Sequence, residues 1–414
     1  MANNIILTPS IFVKGILMNL GGYLSVARNM TSEYSEEFTK KIKPGSAVRV
    51  RKPQRFIATT GLTYQPQPLS NTETTITVGD VTGVHYEWDG VERTLKLEDA
   101  QERYFKPAAI AIASRINANA AQYVAQNTFS AVGTPGTVPS SIDTYLDAGD
   151  KIVGLGLPPQ EELHCIVSRK MSSSFVKGNK VLYNPVGQIS EMFKNGEIVD
   201  DTLGYTFHRD QMLYTQTIGP QGGVPLVNGA NQASDGGNNA NGTLVTKGWT
   251  AAAASRLVVG DRFTISNVFS VHPQTRASTN DLQMFVVKTA FSSDGAGNGT
   301  ITMFPAITPS GQYQNVTVSP LDSAAITVFG AAGTSSTQGL LMHRNSFAFV
   351  SVPLATPESG KGVMASAMHK DDDTGITLAM VQFFDGVNRV EGTRFDTLTG
   401  FGPLYPEMAC VIAS

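Results

Sequence analysis

Apolar positions along residues 259–274, VGDRFTISNVFSVHPQ, fall in near alternation after a Gly-Asp turn: Phe263, Ile265, Val268, Phe269 and Val271. That spacing predicts a half-buried β-strand, whose side chains point to opposite faces in turn. Further strand patterns follow in LQMFVVKTAF (282–291), TITMFPAI (300–307), NVTVSP (315–320) and AAITVFG (324–330). The first two flank SSDGAGNG (292–299), whose Asp-Gly and Gly content predicts a hairpin turn. Loop compositions bound the set, GPQGGVPLVNGANQASDGGNNANGT (219–243) before it and AAGTSSTQG (331–339) after it. Short strands at this spacing predict a small barrel or sandwich over about 225–335. Its loop-rich ends suit a module inserted into another domain.

The rest of the chain reads as α+β. Phe12, Ile16 and Leu20 share a helical face after Thr8 and Pro9, an N-cap followed by proline. Such a helix packs on its own domain or reaches a neighbouring subunit, and the pattern leaves both readings open. Residues 46–89 alternate outward through Val48 and Val50 and return through Ile76 and Val78, an extended hairpin. The tip GLTYQPQPLSN (61–71) carries two prolines and must lie in a loop or at an edge. A two-stranded ribbon is marginal in water, so this protrusion must lie on its own body or on another copy. Residues 106–129 place Ile112, Ile116, Ala120 and Val124 at helical spacing, with Pro107 near the start and Glu98, Asp99 and Glu102 upstream. Between 142 and 218 the signals mix, with a strand in LHCIVS (163–168), a helix in RKMSSSFVKG (169–178) and alternation over 204–219. Strand-like runs recur at 343–354 and 375–386, and the segment from Arg394 onward is apolar enough to dock on a sheet.

Composition narrows the class. The 414 residues, 44.1 kDa, predict two to three domains, and 41% hydrophobic against 16% charged residues allows sizeable cores. A net charge of −3 argues against a dedicated nucleic-acid binder. Cys165 and Cys410 form no CxxC pair, so the pattern is neither a disulfide framework nor a zinc ribbon, and reducing cytoplasm is the simplest setting. The apolar stretch 11–20 carries Lys14, lacks a basic region before it and reads as no secretory signal. No run approaches the roughly 18 apolar residues of a membrane span.

Catalytic constellations are missing from the sequence. It holds no GxSxG, GxxxxGK[ST], GxGxxG or HExxH, and its six histidines show no HxH or HxxxH spacing. ESGKGV (358–363) reads as a turn, and KDDDTG (370–375) and DGAGNG (294–299) as solvated loops lacking a full calcium-ligand pattern. The chain is therefore expected to be no enzyme and to need no cofactor or metal. One charge feature stands out. Lys40, Lys41, Lys43, Arg49, Arg51, Lys52 and Arg55 run without an intervening acid, while Glu87, Asp89 and Glu92 begin an acidic group. The run can pair with acidic surface of a neighbouring subunit or of its own chain, line a solvated strand, or track phosphates.

Three stretches carry a family resemblance: 81–126, from VTGVHYEWDG into the long helix; 184–219, NPVGQISEMFKNGEIVDDTLGYTFHRDQMLYTQTIG; and 257–275 followed by LMHRNSFAFVSVPLA (341–355). They and the order of elements resemble the major capsid (coat) proteins of tailed double-stranded DNA bacteriophages. These share the Johnson fold, and the similarity is to the podovirus branch with an inserted β-barrel domain. The resemblance implies a long spine helix, an extended hairpin loop and a barrel. The implied parts are an N-terminal arm (1–45), extended loop and peripheral strands (46–90) and spine (91–134). An axial domain (135–224 and 336–374), the inserted barrel (225–335) and C-terminal strands (375–414) complete them. It further implies self-assembly into hexamers and pentamers of an icosahedral head, scaffolding and portal partners, weak non-specific contact with packaged double-stranded DNA, and a decoration protein as a further candidate partner. The site would be the virion, after assembly in host cytoplasm, with no membrane. The loop 228–243 sits where relatives make contacts between capsomers, yet carries only Asp235, which puts salt bridges there in doubt. A β-rich cell-surface or glycan-binding protein is the alternative the 223–339 region alone would permit.

Overall fold

The computed structural model describes residues 13–14, 16–17, 23–35, 47–58, 61–62, 64, 66–67, 69, 72–89, 106–158, 161–178, 198, 203–233, 240–355, 357, 363–371, 374–385 and 390–414, with Trp88 and Asp89 as backbone only. Three α-helices lie among them, α1 (Lys106–Asn127), α2 (Ile142–Gly154) and α3 (Arg169–Gly178). The strands before residue 230 are β1 (Ala47–Arg51), β2 (Glu73–Asp89), β3 (Ala131–Gly133), β4 (Leu163–Val167), β5 (Tyr205–Arg209), β6 (Thr215–Thr217) and β7 (Gly223–Val227). Next come β8 (Gly242–Trp249), β9 (Ala254–Leu257), β10 (Arg262–Val271), β11 (Ser278–Val287), β12 (Phe291–Ser293), β13 (Gly299–Phe304) and β14 (Ile326–Val328). The last are β15 (Ser335–His343), β16 (Phe347–Val352), β17 (Val363–Lys370), β18 (Thr377–Asp385), β19 (Val390–Pro403) and β20 (Ala409–Ala413).

The chain divides into two compact units. The first comprises Met1–Val48, Thr75–Ala120 and Ala348–Gly402. Its strands belong to a sheet of order β1-β2-β19-β18-β17, with β16 also on β19. The long β2–β19 ladder runs from Val390↔Asp89 to Phe401↔Thr77 and slips at Thr399/Gly400. A Cβ on Gly400 would stand 2.3 Å from the Thr77 carbonyl, so only glycine fits where the bulge presses the strands together. Buried Ala109, Ile112, Ala113 and Ile116 line the packed face of α1. Fully buried Asn117 interrupts that face; its Oδ1 accepts from the Val26 (2.8 Å) and Ala27 (3.4 Å) amides and fixes the 24–30 segment. Of the predicted N-terminal face, Ile16 is buried, while Phe12 and Leu20 lie outside the described residues.

The second unit comprises Arg49–Thr74, Ala121–Phe347 and Pro403–Ser414. One of its sheets has the order β3-β20-β15-β4-β5, with β6 also on β15. Parallel pairs β20–β3 and β4–β5 flank the antiparallel β15. Helices α2 and α3 lay Tyr145, Ile152, Met171 and Phe175 on Cys165, Phe207, Leu341 and Ile412, with Tyr145 and Phe175 edge to face at 5.2 Å. Ser141 caps α2 by accepting from the Asp143 amide.

The residue 223–328 strands form a second six-stranded sheet, β14-β10-β11-β13-β8-β7, whose two ends meet through a Leu226↔Ala325 bridge. Val227 N–H donates to Ala324 O and Ser323 N–H to Val227 O, each at 2.9 Å. Phe263, Ile265, Phe285, Val287, Ile301 and Met303, all fully shielded, fill the interior. Each such side chain contributes roughly 1.5–3 kcal/mol by leaving water. The inward set from 259–271 is Phe263, Ile265 and Val268, followed by Val271. Phe269 breaks the strict alternation because β10 slips its register against β11 on either side of that residue.

The Gly-Asp-Arg turn at 260–262 is a structural node. Gly260 has a φ of +93°, which favours glycine. Asp261 accepts from the Val258 (2.9 Å) and Gly219 (3.0 Å) amides and from Gln216 Nε2 (2.9 Å). Burial pushes its carboxyl pKa up against those bonds. Buried Arg262 donates from Nη2 to Ala125 O (2.6 Å), from Nε to Thr128 O (3.0 Å) and from Nη1 to Gln338 Oε1 (3.2 Å). The Ala125 and Thr128 carbonyls lie at the end of α1, which stops at Asn127, two residues short of the periodicity in the sequence.

Candidate functional site

The segment between β1 and β2 combines a tied root with an exposed tip. The outgoing leg starts at Lys52, whose side chain is buried and donates from Nζ to Leu404 O beneath the Tyr405 ring, 4.9 Å from its centroid. Its backbone N–H donates to Thr72 O (2.9 Å), joining the two legs. Gln54 Oε1 accepts from Gln312 (2.9 Å), and Arg55 Nη2 pairs with Glu407 Oε1 (2.7 Å). On the return leg, Thr72 Oγ1 donates to Tyr313 OH (3.2 Å) and Thr74 Oγ1 to Pro403 O (2.7 Å). Burial lowers the Lys52 pKa to about 8, against the opposing pull of Glu407. Further out, Gln67 bonds both the N–H (2.9 Å) and the C=O (2.6 Å) of Ile57, a rung across the loop. Leu62 and Tyr64, between the ends of that rung, and Leu69, just after it, keep 108%, 87% and 78% of their full exposure.

The charged candidates separate. Arg49 and Arg51 are exposed on β1, each 3.7 Å from Glu73. Lys52 and Arg55 have the partners in their own chain just given. Glu87 is exposed, and its place on β2 is opposite Gly392. Lys40, Lys41, Lys43, Glu92 and Asp235, with the side chain of Asp89, lie outside the described residues, as do Glu98, Asp99 and Glu102. The base of the loop holding Asp235 is nevertheless defined: Gln232 accepts from the Val245 amide (2.7 Å) and donates to Val245 O (3.1 Å) and Asn228 O (2.8 Å).

Chemistry-bearing groups are dispersed or already engaged. Among the described residues no cluster of three or more His, Cys, Asp or Glu could hold a metal. Asp294 turns back on its own loop, accepting from Ala296 (2.9 Å) and Asn298 (2.8 Å) amides. Asp371 accepts from Thr374 Oγ1 (2.5 Å), while Asp372, Asp373 and 358–362 lie outside the described residues. His164 and His208 touch at 3.3 Å on neighbouring strands, and burial lowers the His164 pKa. Cys165 and Cys410 are free thiols on the two strands flanking Leu341, and burial raises both pKa values, that of Cys410 to about 12. Two cavities beside Phe129 hold about 40 and 50 Å³, room for a few waters and far below a substrate pocket.

The root contacts have no signal in the sequence, because they join positions more than two hundred residues apart. The tip had one only in part, since the prolines of 61–71 mark a loop or edge. Among the described residues no helix is long and apolar enough to cross a membrane.

Several solved structures match parts or most of the chain. One from Mycobacterium phage Che8 matches with a TM-score of 0.48 and 11% identity, over 94% of this chain and 90% of that one. The capsid structure of the Cyanophage P-SCSP1u matches at 0.42 and 12%, over 90% and 84%. The CUS-3 coat protein I-domain is 30% identical over 28% of this chain and 96% of that one, at a TM-score of 0.17. No curated protein matches. The family model described as "P22 coat protein - gene protein 5" matches residues 1–412. The chain thus belongs to the P22 coat protein family and is a structural, capsid-forming subunit of the tailed-phage major capsid class.

Proposed function

We propose that copies of this chain assemble as hexamers and pentamers into an icosahedral head that encloses double-stranded DNA, and that the role is structural and not catalytic. The observation that carries the reading is the loop between β1 and β2. Its root is tied down, yet Leu62, Tyr64 and Leu69 remain largely exposed. Apolar side chains this exposed on a projecting segment gain free energy when another molecule covers them. Many such contacts, each weak, add up to a shell.

In this reading 46–90 comprises peripheral-domain strands, β1 and β2, and between them the extended loop lying over a neighbour, and α1 is the spine of the peripheral domain. The closed 223–328 sheet is the inserted barrel within 225–335, with the axial domain in 135–224 and 336–374. The barrel supplies a core of its own to a plate-like subunit. Arg49 and Arg51, with Lys40, Lys41 and Lys43, are candidates for contact with acidic surface of the next copy, for which Glu87, Asp89 and Glu92 are available. Asp235 stands in a loop placed to meet another capsomer. Scaffolding and portal proteins assist assembly in host cytoplasm, DNA is held by weak non-specific contact, and a decoration protein is a further candidate partner in the virion.

The test is expression of the full chain followed by light scattering and negative-stain microscopy. Closed particles or large sheets are expected. A monomer that stays monomeric with its assembly helper overturns the proposal. The double reversal R49E/R51E should leave folding within about 1 kcal/mol, because both side chains are largely exposed and their pairing with Glu73 is long, while assembly falls. Equal assembly by both proteins removes the two arginines from the contact.

A further inference from the structure

The root of the β1–β2 loop holds more polar structure than a loop anchor requires. Both legs are tied, the outgoing one at Lys52, Gln54 and Arg55 and the return one at Thr72 and Thr74. These five side-chain ties go to two short segments, 403–407 and 312–313. Lys52 is the most informative. Its 6% exposure leaves an ammonium group almost without water, held by a carbonyl, a tyrosine ring and the nearby Glu407. A buried cation is a poor source of stability, since an apolar side chain of similar length would avoid the desolvation. Its directional bond is what an apolar side chain could not supply.

We propose that Lys52, together with the Arg55–Glu407 pair, is a latch that fixes the direction in which the exposed tip leaves the subunit before any second copy arrives. The three are positioning residues for the assembly contact, and the inference rests on the reading of the tip as a contact surface. Holding the root fixes the orientation in advance, so ordering the loop does not have to be offset when copies meet. The Gln67–Ile57 rung extends the tied part outward from the root. The depressed Lys52 pKa is in keeping with a charge kept for geometry at some cost to stability.

The test uses the unassembled full chain and three variants: K52M, E407Q and the swap R55E/E407R. Three quantities are read: denaturation midpoint, amide hydrogen exchange over 56–69, and assembly rate by light scattering. K52M should keep or raise the midpoint, yet speed exchange over 56–69 and slow assembly, each by about tenfold. E407Q should do the same to exchange and assembly, and the swap should restore both toward the wild type. Unchanged exchange in K52M and E407Q overturns the latch. So does assembly that falls only in step with the midpoint, or a swap that rescues neither quantity. Exchange is measured before assembly, so a wild-type chain that never forms shells refutes the shell reading and still leaves the latch to be judged on exchange.

Discussion

Removing the Arg262 guanidinium is the sharpest test of how the closed 223–328 sheet is held to the end of α1. Arg262 is 4% exposed, and its bonds to Ala125, Thr128 and Gln338 all lie between 2.6 and 3.2 Å. In Arg262→Ala those acceptors lose a charged donor, and a void replaces the side chain. Bonds to charged groups are worth roughly 1.5–3 kcal/mol each and are not additive. Breaking one partner of a buried charged network costs about 3–5 kcal/mol, so a loss near 4 kcal/mol is expected. Arg262→Met keeps most of the volume and removes the buried charge. Burial lowers the arginine pKa to about 10, so the charge is held in place against its desolvation. Relief of that desolvation offsets part of the lost bonding, so Met should cost roughly half as much as Ala. The assay is urea unfolding followed by emission of Trp249, which is buried against Phe291 at 5.3 Å, in a Trp88→Phe background. A change under 1 kcal/mol for Ala, or a Met variant less stable than Ala, would refute this account of the junction.

Two further outcomes follow from burial. Cys165 and Cys410 should resist a thiol reagent in the folded subunit at pH 8 and both react in denaturant, because burial raises both pKa values. Thiols that stay protonated in the fold but ionise in the unfolded chain stabilise it below the unfolded pKa; stability should fall as pH rises from about 9 toward 12, as urea midpoints in that window would reveal. Phe263→Ala, at the centre of the closed sheet and 5.7 Å from the Phe285 ring, should cost about 3–5 kcal/mol by the same urea assay.

Local pattern read well where a segment buries one regular face. The helix over 169–178 and the strand over 163–167 emerge where periodicity places them, as do the strands of 262–304 with their Asp-Gly turn. Pairing between distant segments read poorly. Nothing in Arg394–Ser414 announces two strands in two different sheets, β19 against β2 and β20 against β3 and β15, divided by the 3-10 turn Pro406–Met408. β17 escaped notice because small residues and methionines, VMASAMHK, alternate too weakly to signal a strand. For the candidate site, the prolines of 61–71 mark a loop or edge in the sequence, but they mark neither its exposed apolar side chains nor the latch. Lys52 and Arg55 stand in a basic run that reads as one surface, and only the fold divides it into exposed Arg49 and Arg51 and inward Lys52. Charge type is in the sequence; the direction of a side chain at a strand end is not.

The position of β20 bears on how the molecule is made. β20 is the ladder partner of β3, a strand translated roughly 280 residues earlier, which at 5–20 residues per second means a wait of roughly 15–55 s. The 223–328 strands find their neighbours within their own stretch and can close while the ribosome is still at work. A nascent chain therefore carries one finished core while two sheets stay open, β3 waiting for β20 and β2 waiting still longer for β19, whose ladder partners stand more than 300 residues apart.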